Sequence, residues 1–186
     1  MLFRSLRGDP PADQLVFEVT EGGLEYANEL VSLVRSEFPG FGIAVAGYPE
    51  VHQEAASAEL DMENLKRKVD AGADVVITQL FYNNDDFYRF RDAFDAAGIH
   101  VPLVPGILPV TSLAQIQRIT SLCKATLPGE LVSQLGEKED PDWQFEVGVQ
   151  FAERQVGALL DEGVPGLHFY VLNRSQATVR VLGSCN

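Results

Sequence analysis

The chain has 186 residues and a mass of 20.4 kDa, a size that suits a single domain. Hydrophobic residues make up 46% of it, which excludes wholesale disorder, and no apolar run is long enough for a membrane-spanning helix. The formal net charge of −13 disfavours binding to nucleic-acid backbones or to anionic membrane surfaces. Two cysteines are too few for a disulfide framework or a zinc site, so no metal is expected. The N-terminus lacks the apolar region of a secretory signal, and a cytoplasmic location is expected.

Short apolar segments alternate with segments of helical periodicity along the chain. The apolar segments lack polar alternation, which is typical of parallel strands covered on both faces. Gly72, Gly98 and Gly163 follow three of the predicted helices, where glycine suits the left-handed C-terminal turn. The alternation predicts an α/β fold with a parallel sheet, either open and doubly wound or closed as a barrel. The predicted strands are 2–6, 41–46, 75–81, 101–105 and 167–172, and the helices are 24–34, 60–72, 87–97, 113–123 and 145–160, with a short one after 175.

The segment 126–142 interrupts this alternation because it shows no clear periodicity. It contains Leu127, Leu131 and Leu135, followed by a charged stretch over 136–142. The pattern predicts a short helix and an exposed loop.

Polar, aromatic or Gly/Pro residues follow every predicted strand, at the end where parallel α/β folds bind ligands. Gln79 lies inside an apolar strand and needs a partner or a ligand, since an unpaired buried amide costs free energy. Tyr48 and Tyr170 are interpreted as rim residues whose hydroxyls need partners, and His168 as a satisfied core histidine.

One predicted helix carries a stripe of polar residues. Asp61, Asn64 and Lys68 are spaced at i, i+3 and i+7, and Arg67 lies alongside them. The stripe is either a solvated helix face or a row of donors and acceptors beside a long polar ligand. In the second case the two cations would meet phosphate and the carboxylate would meet hydroxyls.

Six strings of residues, in this order and at this spacing, resemble the methylenetetrahydrofolate reductase family. The resemblance runs nearly end to end, which makes it far more specific than any single motif. The strings are LRGDPP at 6–11, AGYPEVHQEA at 46–55, NLKRKVDAGAD at 64–74, ITQLF at 77–81, VPGILPV at 104–110 and LHFYVLNR at 167–174.

The resemblance implies a fold. The family fold is a (β/α)8 barrel that holds FAD at the carboxyl ends of its strands, and the Arg-Gly-Asp string places the first strand here at the family's fourth. The implied fold class is α/β, a partial (β/α)8 TIM barrel of five parallel βα units resembling strands four to eight. Residues 1–186 would then form a single incomplete barrel domain, with 126–142 as its insertion. A complete barrel typically needs about 250 residues.

The resemblance also implies an activity and a set of site residues. The family is a flavin-dependent oxidoreductase acting on CH–NH donors, which reduces 5,10-methylenetetrahydrofolate to 5-methyltetrahydrofolate with NAD(P)H in one-carbon metabolism and methionine biosynthesis. Asp9 would act electrostatically beside the flavin and the pterin. The implied FAD-binding residues are Arg7, Gly8, Asp9, Tyr48, His52, Ala55, Asp61, Asn64, Arg67 and Lys68, and the implied folate-binding residues are Asp9, Gln79, Gln115 and Arg174.

One family feature has no counterpart in the chain. The family's general acid is a glutamate on the first barrel strand, and no carboxylate here matches it by position. We therefore expect residues 1–186 alone to fold poorly or to self-associate, to bind FAD weakly, and not to reduce the folate at a useful rate. The alternative function is a non-catalytic barrel fragment that weakly binds nucleotide or folate, or that assembles with another chain.

Overall fold

A computed structural model describes the chain as backbone over residues 2–5 and in full over residues 19–185. Strands and helices alternate in this part, with two additional helices between the fourth and fifth strands. The elements are β1 (Leu2–Ser5), α1 (Ala27–Glu37), β2 (Gly42–Gly47), α2 (Ala58–Asp70), β3 (Val75–Leu80), α3 (Asn84–Ala96), β4 (Leu103–Ile107), α4 (Leu113–Cys123), α5 (Gly129–Gly136), α6 (Pro141–Asp161), β5 (His168–Phe169) and α7 (Gln176–Gly183).

The five strands form one parallel sheet whose spatial order, β1-β2-β3-β4-β5, follows the chain. The sheet curls as part of a barrel, so the predicted α/β class and partial (β/α)8 architecture are confirmed. Because all neighbours are parallel, the carboxyl ends of the strands share one edge, called here the carboxyl edge. The loops after β2, β3, β4 and β5 therefore lie at the same side of the sheet, where the predicted site belongs.

Local sequence signals account for several helix ends. The Ser57 hydroxyl accepts a hydrogen bond from the Leu60 N–H at 3.2 Å and caps the start of α2. The predicted glycine turns are confirmed, because Gly72, Gly98 and Gly163 all have positive φ, at 116°, 69° and 73°. None of the helices within residues 19–185 has both the length and the apolar composition needed to cross a bilayer.

Two hydrophobic clusters hold the elements together. The larger lies between the sheet and its covering helices and includes Phe81, Phe87 and Val156, which are at most 1% exposed. The smaller lies beyond the carboxyl edge, where Leu131 and Leu135 of α5 pack with residues of α4, α6 and the loops after β3 and β4. This cluster includes Leu80 of β3 and Ile116 of α4, the elements that carry the predicted folate residues Gln79 and Gln115.

The bounds of two predicted strands are wrong. β4 begins at Leu103 and ends at Ile107, two residues later than the predicted 101–105. β5 covers only His168–Phe169 of the predicted 167–172. The chain turns after this short strand, because Leu172 and Asn173 both have positive φ, and the Arg174 N–H donates to Val171 O at 2.6 Å.

The segment 126–142 contains α5 and then an exposed stretch that leads into α6. α5 is held by Leu131 and Leu135, which are 1% and 0% exposed. α6 begins after Asp140, whose carboxylate accepts the N–H groups of Asp142 and Trp143 at 2.9 and 3.4 Å.

Candidate functional site

Four of the predicted flavin residues form one cluster at the carboxyl end of β2. The Lys68 ammonium donates to Ala46 O at 2.6 Å and lies 5.7 Å from the centre of the Tyr48 ring. The Tyr48 and His52 rings meet edge to face at 4.5 Å, and the His52 N–H donates to Asp61 Oδ2 at 2.9 Å. Asp61 and Lys68 of the polar stripe on α2 therefore contact the end of β2 and the β2–α2 loop. These two residues do not form a solvated helix face.

Burial shifts the pKa values of Lys68 and Asp61 in this cluster. Loss of water lowers the pKa of Lys68 to about 8, an effect that the nearby Asp61 carboxylate partly opposes. Burial also raises the pKa of Asp61, against the opposing effects of the His52 N–H and of Lys68. A half-buried ammonium is a favourable partner for an anionic group such as phosphate.

The other two residues of the stripe lie in solvent. The Arg67 guanidinium donates to Asn64 Oδ1 at 3.0 Å and lies 3.8 Å from the Glu63 carboxylate. Such exposed pairs contribute little to stability, so these side chains are available to a ligand. Ala55 is half-buried, and its N–H donates to His52 O at 2.9 Å, which closes the loop beneath His52.

The β2–α2 loop contains a strained turn that sequence reasoning missed. Val51 has φ of 68°, a conformation that a β-branched residue rarely adopts, and its N–H donates to Tyr48 O at 3.1 Å. The neighbouring Glu50 carboxylate accepts the Thr126 N–H at 2.9 and 3.1 Å. This loop is therefore hydrogen-bonded to the segment between α4 and α5. The turn could not be predicted from the sequence, because valine is not a residue that favours a positive φ.

The predicted folate residues Gln115 and Arg174 line the same cleft, between α4 and the turn after β5. The Thr111 hydroxyl donates to Gln115 Oε1 at 2.8 Å, which orients the amide. Tyr170 also lines this cleft, with its hydroxyl hydrogen-bonded to a strand carbonyl as the rim interpretation required. Arg174 is exposed and directly follows the left-handed turn at Leu172 and Asn173.

Gln79, the remaining predicted folate residue in the described part, lies near the end of β3. Its side-chain oxygen, Oε1, accepts the N–H of the next residue in the strand, Leu80, at 2.9 Å. His168, interpreted from the sequence as a core histidine, is half-buried, with its ring edge to face against Tyr170 at 4.8 Å. Arg7, Gly8 and Asp9 lie outside the described residues.

The lowered pKa of Lys68 predicts a specific dependence of stability on pH. The unfolded lysine binds its proton more tightly than the folded one, so between pH 8 and 10.5 the unfolded state holds more protons. Lys68 therefore destabilises the fold below pH 8, and this penalty disappears as the pH rises through that window. The free energy of unfolding of the wild type, relative to that of Lys68→Met, should rise by about 3 kcal/mol from pH 7.5 to 10.5 in urea titrations. A difference that stays constant with pH would contradict a buried ammonium.

Known proteins resemble this chain over almost all of its length. The family model for methylenetetrahydrofolate reductase matches residues 3–186. The chain is 40% identical over 178 residues to 5,10-methylenetetrahydrofolate reductase of Escherichia coli (strain K12), covering 95% of this chain and 58% of the relative. It is 39% identical over 189 residues to methylenetetrahydrofolate reductase (NADH) 1 of Arabidopsis thaliana, covering 96% of this chain and 32% of the relative.

The fold is also similar to a solved structure, that of a Clostridium thermocellum protein that binds two copies of 5-methyl-5,6,7,8-tetrahydrofolic acid. The TM-score is 0.59 at 16% sequence identity, over 94% of this chain and 64% of that one. At this identity the likeness concerns the fold alone. The chain spans 32% of the length of the Arabidopsis thaliana reductase and 58% of that of the Escherichia coli reductase. The matched family model and the identities near 40% show that the chain belongs to the methylenetetrahydrofolate reductase family.

Proposed function

We propose that the protein to which this chain belongs reduces 5,10-methylenetetrahydrofolate to 5-methyltetrahydrofolate, with FAD as cofactor and NAD(P)H as reductant. The observation that carries the proposal is the arrangement at the carboxyl edge. A half-buried ammonium, Lys68, lies beside two aromatic rings after β2, and the Gln115–Arg174 cleft lies after β4 and β5. A cofactor that carries phosphate and a folate whose tail carries carboxylates both favour cationic partners. Lys68 would supply one cation and Arg174 the other.

The donor set of the first cluster fits FAD. Lys68 and the exposed Arg67 would bind phosphate, Asp61 and Asn64 would meet ribose or ribityl hydroxyls, and Tyr48 and His52 would flank the remaining parts. Ala55, which lacks a long side chain, would allow close approach of the backbone. Arg7, Gly8 and Asp9, at the end of β1 in the sequence, complete the proposed set. Bound FAD would supply the hydride chemistry, and the residues of this chain would bind and orient it.

The cleft lined by Gln115 and Arg174 would hold the folate. Arg174 would pair with the carboxylates of its tail, Gln115 would bind the adjoining amide, and Gln79 would contact the pterin together with Asp9. The negative charge of Asp9 would favour the cationic iminium formed when the folate ring opens. No carboxylate of this chain is assigned the role of the general acid.

A second candidate function is a non-catalytic barrel that binds folate or nucleotide without turnover. One observation favours it: a protein of similar fold binds 5-methyl-5,6,7,8-tetrahydrofolic acid. This candidate uses the same Gln115–Arg174 cleft but does not require Lys68.

Flavin and folate titrations separate the two candidates. The purified chain is titrated with FAD by fluorescence, mixed anaerobically with NADH or NADPH, and then with 5,10-methylenetetrahydrofolate. The same assay is applied to the chain joined to the part of the E. coli reductase that it does not cover. Bleaching of the flavin by nicotinamide and its reoxidation by the folate support the proposed activity. Binding of 5-methyltetrahydrofolate without flavin reduction supports the second candidate. If neither flavin reduction nor folate binding is observed, both candidate functions are contradicted.

A further inference from the structure

β3 contains a bulge at the residue that the proposed function places against the pterin. Ile77 pairs with Val104 and Leu80 pairs with Gly106, so β3 has one residue more than β4 between these pairs. The extra residue places Thr78 and Gln79 in the bulge. Bulges commonly lie beside functional sites, where they redirect a side chain. A bulge also interrupts the regular ladder, so its backbone groups need other partners.

Tyr170 and Gly106 supply these partners. The Tyr170 hydroxyl donates to Thr78 O at 2.8 Å, and the Gly106 N–H donates to Thr78 Oγ1 at 2.9 Å. A Cβ on Gly106 would lie 2.2 Å from Thr78 O and 2.7 Å from Tyr170 Cε2, so a side chain there would separate the ring from the carbonyl. Thr78 of β3, Gly106 of β4 and Tyr170, which directly follows β5, form a group that we call the Thr78 clasp.

The clasp acts on Gln79 through a single peptide plane. Thr78 C=O and Gln79 N–H belong to the same rigid peptide unit, so a hydrogen bond that holds the carbonyl also sets the direction in which Gln79 leaves the strand. We propose that Tyr170 is a positioning residue, whose hydroxyl holds the bulge of β3 in the conformation that presents the Gln79 amide to a bound folate. Only the identity of the ligand, a folate, depends on the proposed function; the role of Tyr170 in holding the bulge does not.

The variant Tyr170→Phe tests this proposal, because it deletes the hydroxyl and keeps the ring that packs on Gly106. On the ¹⁵N-labelled chain we expect the side-chain NH₂ signals of Gln79 to shift and the exchange of the Leu80 amide, which donates to Gln79 Oε1, to accelerate. We expect the affinity for 5-methyltetrahydrofolate to fall about fivefold to tenfold, the size expected for one lost hydrogen bond. Affinity for FAD should not change. In a Gln79→Ala background, Tyr170→Phe should cause no further loss of folate affinity.

Tyr88→Phe is the matched control, since the Tyr88 hydroxyl donates to Ala158 O at 3.4 Å between two outer helices, and it should alter none of these measurements. Unchanged Gln79 signals with unchanged Leu80 exchange would overturn the proposal. So would an equal loss of folate affinity in both backgrounds, which would mean that Tyr170 contacts the ligand itself. If Tyr170→Phe does not fold, Thr78→Val removes the other hydrogen bond of the clasp and should give the same shift. If the wild type binds no folate, the proposed function fails, and the Gln79 and Leu80 signals still decide the role of Tyr170.

Discussion

Replacing Lys68 by methionine should weaken FAD binding by one to two orders of magnitude. A charge-assisted hydrogen bond contributes about 1.5–3 kcal/mol, and the half-buried Lys68 ammonium would form one with a phosphate. Methionine retains the apolar stem and removes the ammonium, so the surrounding packing is kept. The affinity is measured by quenching of flavin fluorescence at pH 7, where Lys68 is protonated, together with the melting temperature.

Lys66→Met is the matched control. Lys66 lies on the same helix, but its side chain is 45% exposed and pairs with Asp70 at 3.1 Å on the outer face. This variant should leave FAD affinity unchanged. Equal losses in both variants would indicate a general effect of charge, and unchanged affinity in Lys68→Met would remove Lys68 from the cofactor site.

Replacing Gly148 by alanine should destabilise the fold by about 3 kcal/mol, since even one added methyl in a packed interior forces backbone shifts. Gly148 lies in α6, where an ideal Cβ would be 1.9 Å from Val110 O and 2.7 Å from the Val110 carbonyl carbon. The contact is with backbone, so no side-chain rotation relieves it. Val110 follows β4 in the loop that leads to α4, and α6 must move away from that loop. Urea unfolding monitored by circular dichroism measures the loss.

Gly157→Ala in the same helix separates this effect from helix propensity. Nothing lies within 4 Å of a Cβ at Gly157, so alanine there should stabilise the protein by about 0.5–1 kcal/mol. Opposite signs for the two substitutions would identify the contact with Val110 as the cause. Destabilisation of similar size in both would contradict this explanation.

The order of strands and helices could be predicted because its signals are local. Apolar runs mark the strands, apolar spacing marks the helices, and Gly72, Gly98 and Gly163 mark helix ends with positive φ. The end of β5 could not be predicted in this way. The apolar run continues to Leu172, yet pairing stops at Phe169, because the following residues form the turn that carries Arg174.

The site was predictable in its residue types but not in its internal contacts. The spacing of Asp61 and Lys68 placed them on one stripe of α2, but it could not show that Lys68 contacts Ala46 O, 22 residues away in the chain. Gln79 was recognisable as an amide in an apolar strand. Its bulge depends on a difference in length between β3 and β4 that neither strand's own residues reveal.

The positive φ of Val51 has a consequence for how ligands are captured. A left-handed conformation costs a non-glycine residue about 1–2 kcal/mol, and a glycine at this position would avoid that cost but would leave the free loop many more conformations. With valine, and with the Glu50 carboxylate accepting the Thr126 N–H, we expect the loop that carries Tyr48 and His52 to be ordered before any ligand arrives. Binding then loses little conformational entropy at this loop, and we expect it to act as a preorganised surface.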